Sequence, residues 1–231
     1  MSEIAGAVVS VRARVAAAAE RAGRRPEEIT LVAVTKGVEM GRIRDVVAAG
    51  VIDVGESRVQ EAVEKVAALR VGARWHLVGH LQRNKAGLAA GLFSVIHSVD
   101  SVGLAEALSR HPPQPVDVLV QVNVAREPQK FGVPPDGLAA VLRRTALLPK
   151  VRVVGLMTMA PQHPDPEHAR PVFRRLRTLR DEVAKVLGTA LPHLSMGMSD
   201  DFEVAVEEGA TLIRVGRAIF GPATRNPREM S

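Results

Sequence analysis

Apolar positions along the chain fall into two alternating patterns. Short β-branched runs such as Leu31-Val32-Ala33-Val34 read as strands buried on both faces. Between them lie longer stretches in which apolar residues recur with helical spacing and end at glycine, as at Gly23, Gly50, Gly188 and Gly209. The pattern predicts strands at Thr30–Thr35, Ile52–Glu56, Trp75–Gly79, Ser94–Val99, Val116–Val124, Val151–Met157, His193–Met196 and Thr211–Val215. Helices are expected over Glu3–Ala22, Gly41–Ala49, Arg58–Leu69 and Arg83–Ala90. A further helix runs through Ser109 behind an Asp100/Ser101 cap, and others cover Asp136–Leu148, Ala169–Leu187 and Phe202–Glu208. A Pro-rich turn at His111–Pro115, loops at Ala125–Pro135 and Ala160–Glu167, and a polar, frayed tail after Gly221 complete the reading.

Each strand-to-strand connection is long enough for a right-handed crossover. Eight such units predict a closed α/β architecture, a (β/α)8 TIM barrel, rather than an open doubly wound sheet. No linker or composition break divides the 231 residues, so 1–231 reads as a single domain. Glu61 and Lys65 are spaced for an i,i+4 pair.

Composition narrows the function. Aromatics make up only 3%, so the core rests on Ala, Val, Leu and Ile. With no cysteine, thiolate metal sites, disulfides and thiol nucleophiles are excluded, which fits a cytoplasmic setting. No apolar run is long enough for a membrane span, and without a basic segment followed by an apolar core no signal peptide is expected. The net charge of +6 is spread over Arg-rich helix faces that alternate with acids, without aromatic interleaving, and this argues against nucleic acid as a partner. His111, His163 and His168 lie in loops without ligand spacing, so no metal is expected.

Candidate chemistry gathers at the strand ends, where α/β folds place their sites. The first strand ends in Lys36, and lysine is the residue that forms Schiff bases. After the last two strands, Ser199 and Gly216 supply donors for a phosphate, in the two loops that barrel enzymes use for this purpose. Ser199 is expected at the opening of the helix that follows strand seven. Arg214 interrupts the last apolar strand, where it needs a partner in the lumen. His80, His97 and Asn123 lie at strand ends that could line the same pocket. A lysine, a phosphate cup and a charged partner for a ring nitrogen together suggest pyridoxal phosphate (PLP).

Val34-Thr35-Lys36, Gly55–Glu61, Trp75–Gln82, Ile96–Asp100, Gln121-Val122-Asn123, Lys130-Phe131-Gly132, Gly155–Met159, Leu194–Asp200 and Arg214-Val215-Gly216 follow one pattern in order. The sequence resembles the pyridoxal phosphate homeostasis protein family, relatives of the alanine racemase N-terminal barrel (fold type III). The resemblance implies PLP bound as an internal aldimine on Lys36, and Arg214 at the pyridine nitrogen. It also implies Ser199 and the amides of Gly216 and Arg217 at the phosphate, with Asn123 and Met196 among the cofactor-binding positions. Two departures stand out: Ser57 where the family commonly has asparagine, and Arg217 where it has a small hydroxyl residue. The function implied is intracellular PLP buffering or delivery, with apo PLP enzymes as possible recipients; the alternative is a weak amino-acid racemase. Related racemases use a tyrosine from a second domain of the partner subunit as their second base. This sequence has no tyrosine, so a monomeric carrier without turnover is the expectation.

Overall fold

Eight parallel strands pair in chain order and close on themselves in the computed structural model, which describes residues 2–69, 72–110 and 114–222. They are β1 (Thr30–Val34), β2 (Asp53–Glu56), β3 (Arg74–Leu77), β4 (Val95–Val99), β5 (Val116–Gln121), β6 (Val151–Met157), β7 (His193–Ser195) and β8 (Leu212–Val215). Closure is made by β1 against β8, with Thr30 opposite Leu212 and Ala33 opposite Val215. The helices are α1 (Glu3–Arg21), α2 (Met40–Ala48), α3 (Val59–Ala68), α4 (Ala86–Leu92), α5 (Val102–Ser109), α6 (Leu138–Ala146), α7 (Arg170–Leu187), α8 (Phe202–Glu207) and α9 (Arg217–Phe220). The predicted barrel is therefore observed. The Pro-rich turn lies outside the described residues at 111–113, as does the tail from residue 223.

Several boundaries shift for local reasons. The strand expected to run to Val124 stops at Gln121, because Val122 turns to bridge Val133 and begins the loop. The helix expected from Arg83 opens as a tight 3-10 turn, Arg83–Lys85, before α4. Ser101 caps α5 through its hydroxyl, which accepts from Leu104 N at 3.3 Å.

Outward-facing strand residues such as Ala33, Leu156 and Ile213 share one apolar core with Val8, Val11 and Phe173 from the helices. The lumen is different. Val32, Val95, Leu119, Met157 and Leu212 form a small apolar cluster, but other buried interior positions are Asp53, His76, His97, Ser195 and Arg214. A barrel interior is normally filled by branched apolar side chains, so this polar column needs an explanation. Gly155 keeps the wall tight there: a Cβ would stand 1.9 Å from His193 O.

Candidate functional site

Lys36 sits one residue beyond Thr35 at the carboxyl end of β1, and a buried ionic cluster fixes the backbone on both sides of it. Lys65 Nζ, on α3, donates to Thr35 O at 2.5 Å, Glu56 Oε1 at 2.8 Å and Glu61 Oε1 at 2.6 Å. Those three bonds use all three ammonium protons. Thr35 Oγ1 reaches Glu56 Oε1 at 2.5 Å, and Gly37 N donates to Glu61 Oε1 at 2.6 Å. The expected Glu61–Lys65 pair thus exists, but it is a clamp under the site and not a surface pair. Burial lifts Glu56 above the usual carboxylate range in spite of its bonds to Lys65 and Thr35. For Glu61 burial acts upward as well, and the bonds from Lys65 and Gly37 N outweigh it and hold the carboxyl low. Lys36 itself is exposed on this rigid platform and faces a cavity.

The cavity has a volume of about 410 Å3 and opens at the carboxyl ends of the strands. Lys36, Ser199, Arg214, Gly216 and Arg217 all line it, together with Ser57. Three strand ends, those of β1, β7 and β8, thereby deliver an amine, a hydroxyl, a buried cation and a loop of amides to one space. His80 and Phe131 stack across its wall, with ring centroids 3.7 Å apart. Asn123 and Met196 are placed elsewhere. Asn123 Nδ2 donates to Glu127 O at 2.8 Å and Lys130 O at 3.2 Å, while its Oδ1 accepts from Glu127 N, so its amide is committed to shaping its own loop. Met196 is fully buried in the apolar core. His97, expected at a strand end, lies within β4 and is buried in the lumen.

Ser199 differs from expectation in a useful way. It does not cap α8, which opens at Asp201, whose Oδ1 accepts from Met198 N at 2.6 Å. Its hydroxyl accepts instead from Ala218 N at 3.2 Å, in the first turn of α9. One side chain thus ties the β7 loop to the β8 loop. Gly197, with φ of 90°, turns the first loop back so that its carbonyl accepts from Arg214 N at 3.0 Å. A Cβ at Gly216 would stand 3.3 Å from Val34 O, so glycine lets the start of α9 approach the end of β1. Arg217, the first residue of α9, pairs with Asp200.

Arg214 is 4% exposed, and its two hydrogen bonds go to a hydroxyl and a carbonyl rather than to a carboxylate. Its Nη1 donates to Ser195 Oγ at 2.5 Å and its Nη2 to Thr158 O at 3.0 Å. Burial pulls it down to about 10, partly opposed by the Asp201 charge, so it remains a cation at neutral pH. A guanidinium has five N–H donors. The structure therefore presents a donor-only cation in the wall of a cavity that also holds a primary amine.

The family model for the alanine racemase N-terminal domain matches residues 9–224. A pyridoxal phosphate homeostasis protein of Aquifex aeolicus is 44% identical over 90% of this chain and 93% of its own length. The chain belongs to this family. Its Pseudomonas aeruginosa member is 40% identical over 96% of both chains. PipY of Synechococcus elongatus, solved with PLP bound, superposes with a TM-score of 0.83 at 38% identity, covering 94% of this chain and all of that one.

Sequence reasoning did not assign Phe131, Met159 and Gln162 to the cavity wall, where the structure places them. Phe131 carried a faint signal, being one of five phenylalanines and set in a polar loop. Asp53 in the lumen and the exposed Arg74 that pairs with it carried none, because each is a single charge at the start of a short strand.

Proposed function

We propose that this protein binds pyridoxal 5′-phosphate and buffers or delivers it without turnover of its own, as a single-domain, monomeric, cytoplasmic carrier. The observation that carries the reading is the convergence of Lys36, Arg214 and the Ser199–Gly216–Arg217 cup on one cavity. The donor set fits the three parts of the cofactor. Lys36 Nζ is the amine for its aldehyde, and the cup offers hydroxyl, amide and guanidinium donors to its phosphate. Arg214 offers N–H donors to an unprotonated ring nitrogen. When bound, PLP supplies an electron sink for bonds at an amino-acid α-carbon. A ring nitrogen that accepts from Arg214 cannot also carry a proton, and that weakens the sink.

Other features favour a carrier over a racemase. These 231 residues contain no tyrosine to act as a second base. The cavity opens to solvent beside an exposed Lys36, and this suits exchange more than the dry environment that proton abstraction requires. The exposed large apolar residues, among them Val9, Ile52, Leu88 and Leu147, are dispersed over different elements, in keeping with a monomer. Among the described residues no helix is long and apolar enough to cross a membrane.

The test is to incubate the loaded protein with single enantiomers of several amino acids, following optical rotation alongside PLP transfer to an apo-enzyme. Transfer without racemisation is expected. Racemisation at ~1 s⁻¹, the low end of ordinary enzymes, would restore the racemase. A second expectation concerns the cup. Ser199→Ala removes one donor to phosphate but releases Ala218 N–H, so PLP affinity should fall by about tenfold, the low end for a charge-assisted bond. An unchanged dissociation constant in a titration would reduce Ser199 to a loop tie.

A further inference from the structure

The polar column in the lumen is a continuous chain of hydrogen bonds that starts at Arg214. Ser195 Oγ, which accepts from Arg214, lies 2.8 Å from His97 Nδ1. His97 Nε2 is 2.9 Å from His76 Nδ1, and His76 Nε2 is 2.8 Å from Asp53 Oδ1. Arg74 Nε closes the far end on Asp53 Oδ1 at 2.5 Å. Five strands contribute, β8, β7, β4, β3 and β2, and Ser195, His97, His76 and Asp53 are all buried.

The ends of this chain fix the bonds made to them, and neutral imidazoles between them fix the rest. Arginine can only donate, so Ser195 Oγ must accept from it; an ionised carboxylate can only accept, so His76 Nε2 must donate to it. Burial works to raise Asp53, and the His76 and Arg74 bonds outweigh it and keep the carboxyl low and ionised. With both imidazoles neutral, one arrangement satisfies all the bonds: Ser195 donates to His97 Nδ1, His97 Nε2 to His76 Nδ1, and His76 Nε2 to Asp53. His97 is fully buried, and this holds it well below its ordinary value, as the neutral arrangement requires. The result is a one-way series of dipoles with a cation at the cavity and an anion at its far end, each bond polarising the next.

We propose that Ser195, His97, His76 and Asp53 are positioning residues that act through Arg214, fixing its guanidinium so that the site selects a ligand ring with an acceptor nitrogen. This inference rests on the PLP reading above and adds to it the source of ring recognition. A buried polar column of this length is expensive unless every member is satisfied, and its satisfaction leaves Arg214 a single well-defined orientation. The residues that recognise the ring thus extend four side chains beyond the one that touches it.

The test compares the dissociation constants of PLP and of its 1-deaza analogue, in which C–H replaces the ring nitrogen. The comparison is made for the full chain and for the variants His97→Phe and Asp53→Asn. Both ligands keep the aldehyde and the phosphate, so the ratio isolates the Arg214 bond. The unaltered protein should prefer PLP by about tenfold or more, as expected for a bond to a charged donor. In both variants the ratio should fall to within about threefold of unity, with binding of the deaza analogue preserved. A merely structural column would weaken both ligands alike and leave the ratio standing; that result, in a variant with an unchanged melting temperature, overturns the proposal. Asp53→Asn keeps the shape and an acceptor for His76 while removing the charge, so it decides the matter if His97→Phe does not fold. Failure of the unaltered protein to bind PLP would instead overturn the cofactor reading. Equal binding of the two ligands by the unaltered protein would spare that reading and overturn the role given to Arg214 and its column.

Discussion

Lys36→Ala should abolish the visible absorption band of the PLP-loaded protein and turn retained cofactor into ligand that is lost on gel filtration. The reason is chemical and positional together. Lys36 is the cavity-lining amine held at the carboxyl end of β1, beside the β8 loop that carries Gly216 and in the same cavity as Ser199. Phosphate contacts would persist, so the variant should still bind PLP reversibly. Because Lys36 is exposed, the fold should keep its melting temperature within a few degrees. A variant that retained the band would move the linkage to another lysine.

The second large effect concerns the platform beneath that lysine. Lys65→Met should destabilise the fold by about 3–5 kcal/mol, the range seen when one partner of a buried ion pair is removed. The methionine would leave Glu56, fully buried, with only Thr35 as a partner, and Glu56 Oε2 already lacks a hydrogen bond. It would also release Thr35 O and weaken the hold of Glu61 on Gly37 N, so the backbone around Lys36 should loosen. Urea denaturation measures the loss. Replacing Glu56 by Gln in the same chain should recover part of it, because the uncompensated charge is then gone. A loss under about 1 kcal/mol would mean that the cluster behaves like a surface pair.

The barrel was legible because its strands are buried on both faces and its helices end at glycines, which are properties of neighbouring residues. Lys36 and Arg214 were legible for a related reason: each is a charge set against a strong apolar run. Ser199 was placed in the correct loop but assigned to the wrong helix. Spacing along the chain favours the next helix, α8, whereas the parallel pairing of β7 with β8 brings the β8 loop beside it and α9 takes the bond. Asn123 shows the converse limit. A polar residue just past a strand end reads as a pocket wall, yet the turn of Val122 toward Val133 directs its amide into the loop. Arg214 was read as needing a partner in the lumen and His97 as a pocket candidate, but the column that links them to Asp53 was not legible. Each of its members is an isolated polar residue in a short strand, and its bonds span up to 98 positions in sequence. Glu61 and Lys65 were read as a pair, but not the third and fourth partners that make the pair a clamp.

Borohydride reduction of the PLP-loaded protein, followed by proteolysis and mass mapping of the modified peptide, tests the central claim most directly. It fixes the linkage permanently at whichever amine holds the cofactor. The expected result is a single pyridoxyl-modified site at Lys36, stoichiometric with the loaded protein and absent from Lys36→Ala. Modification at Lys65, Lys85 or another lysine, with Lys36 unlabelled, would contradict the site described above.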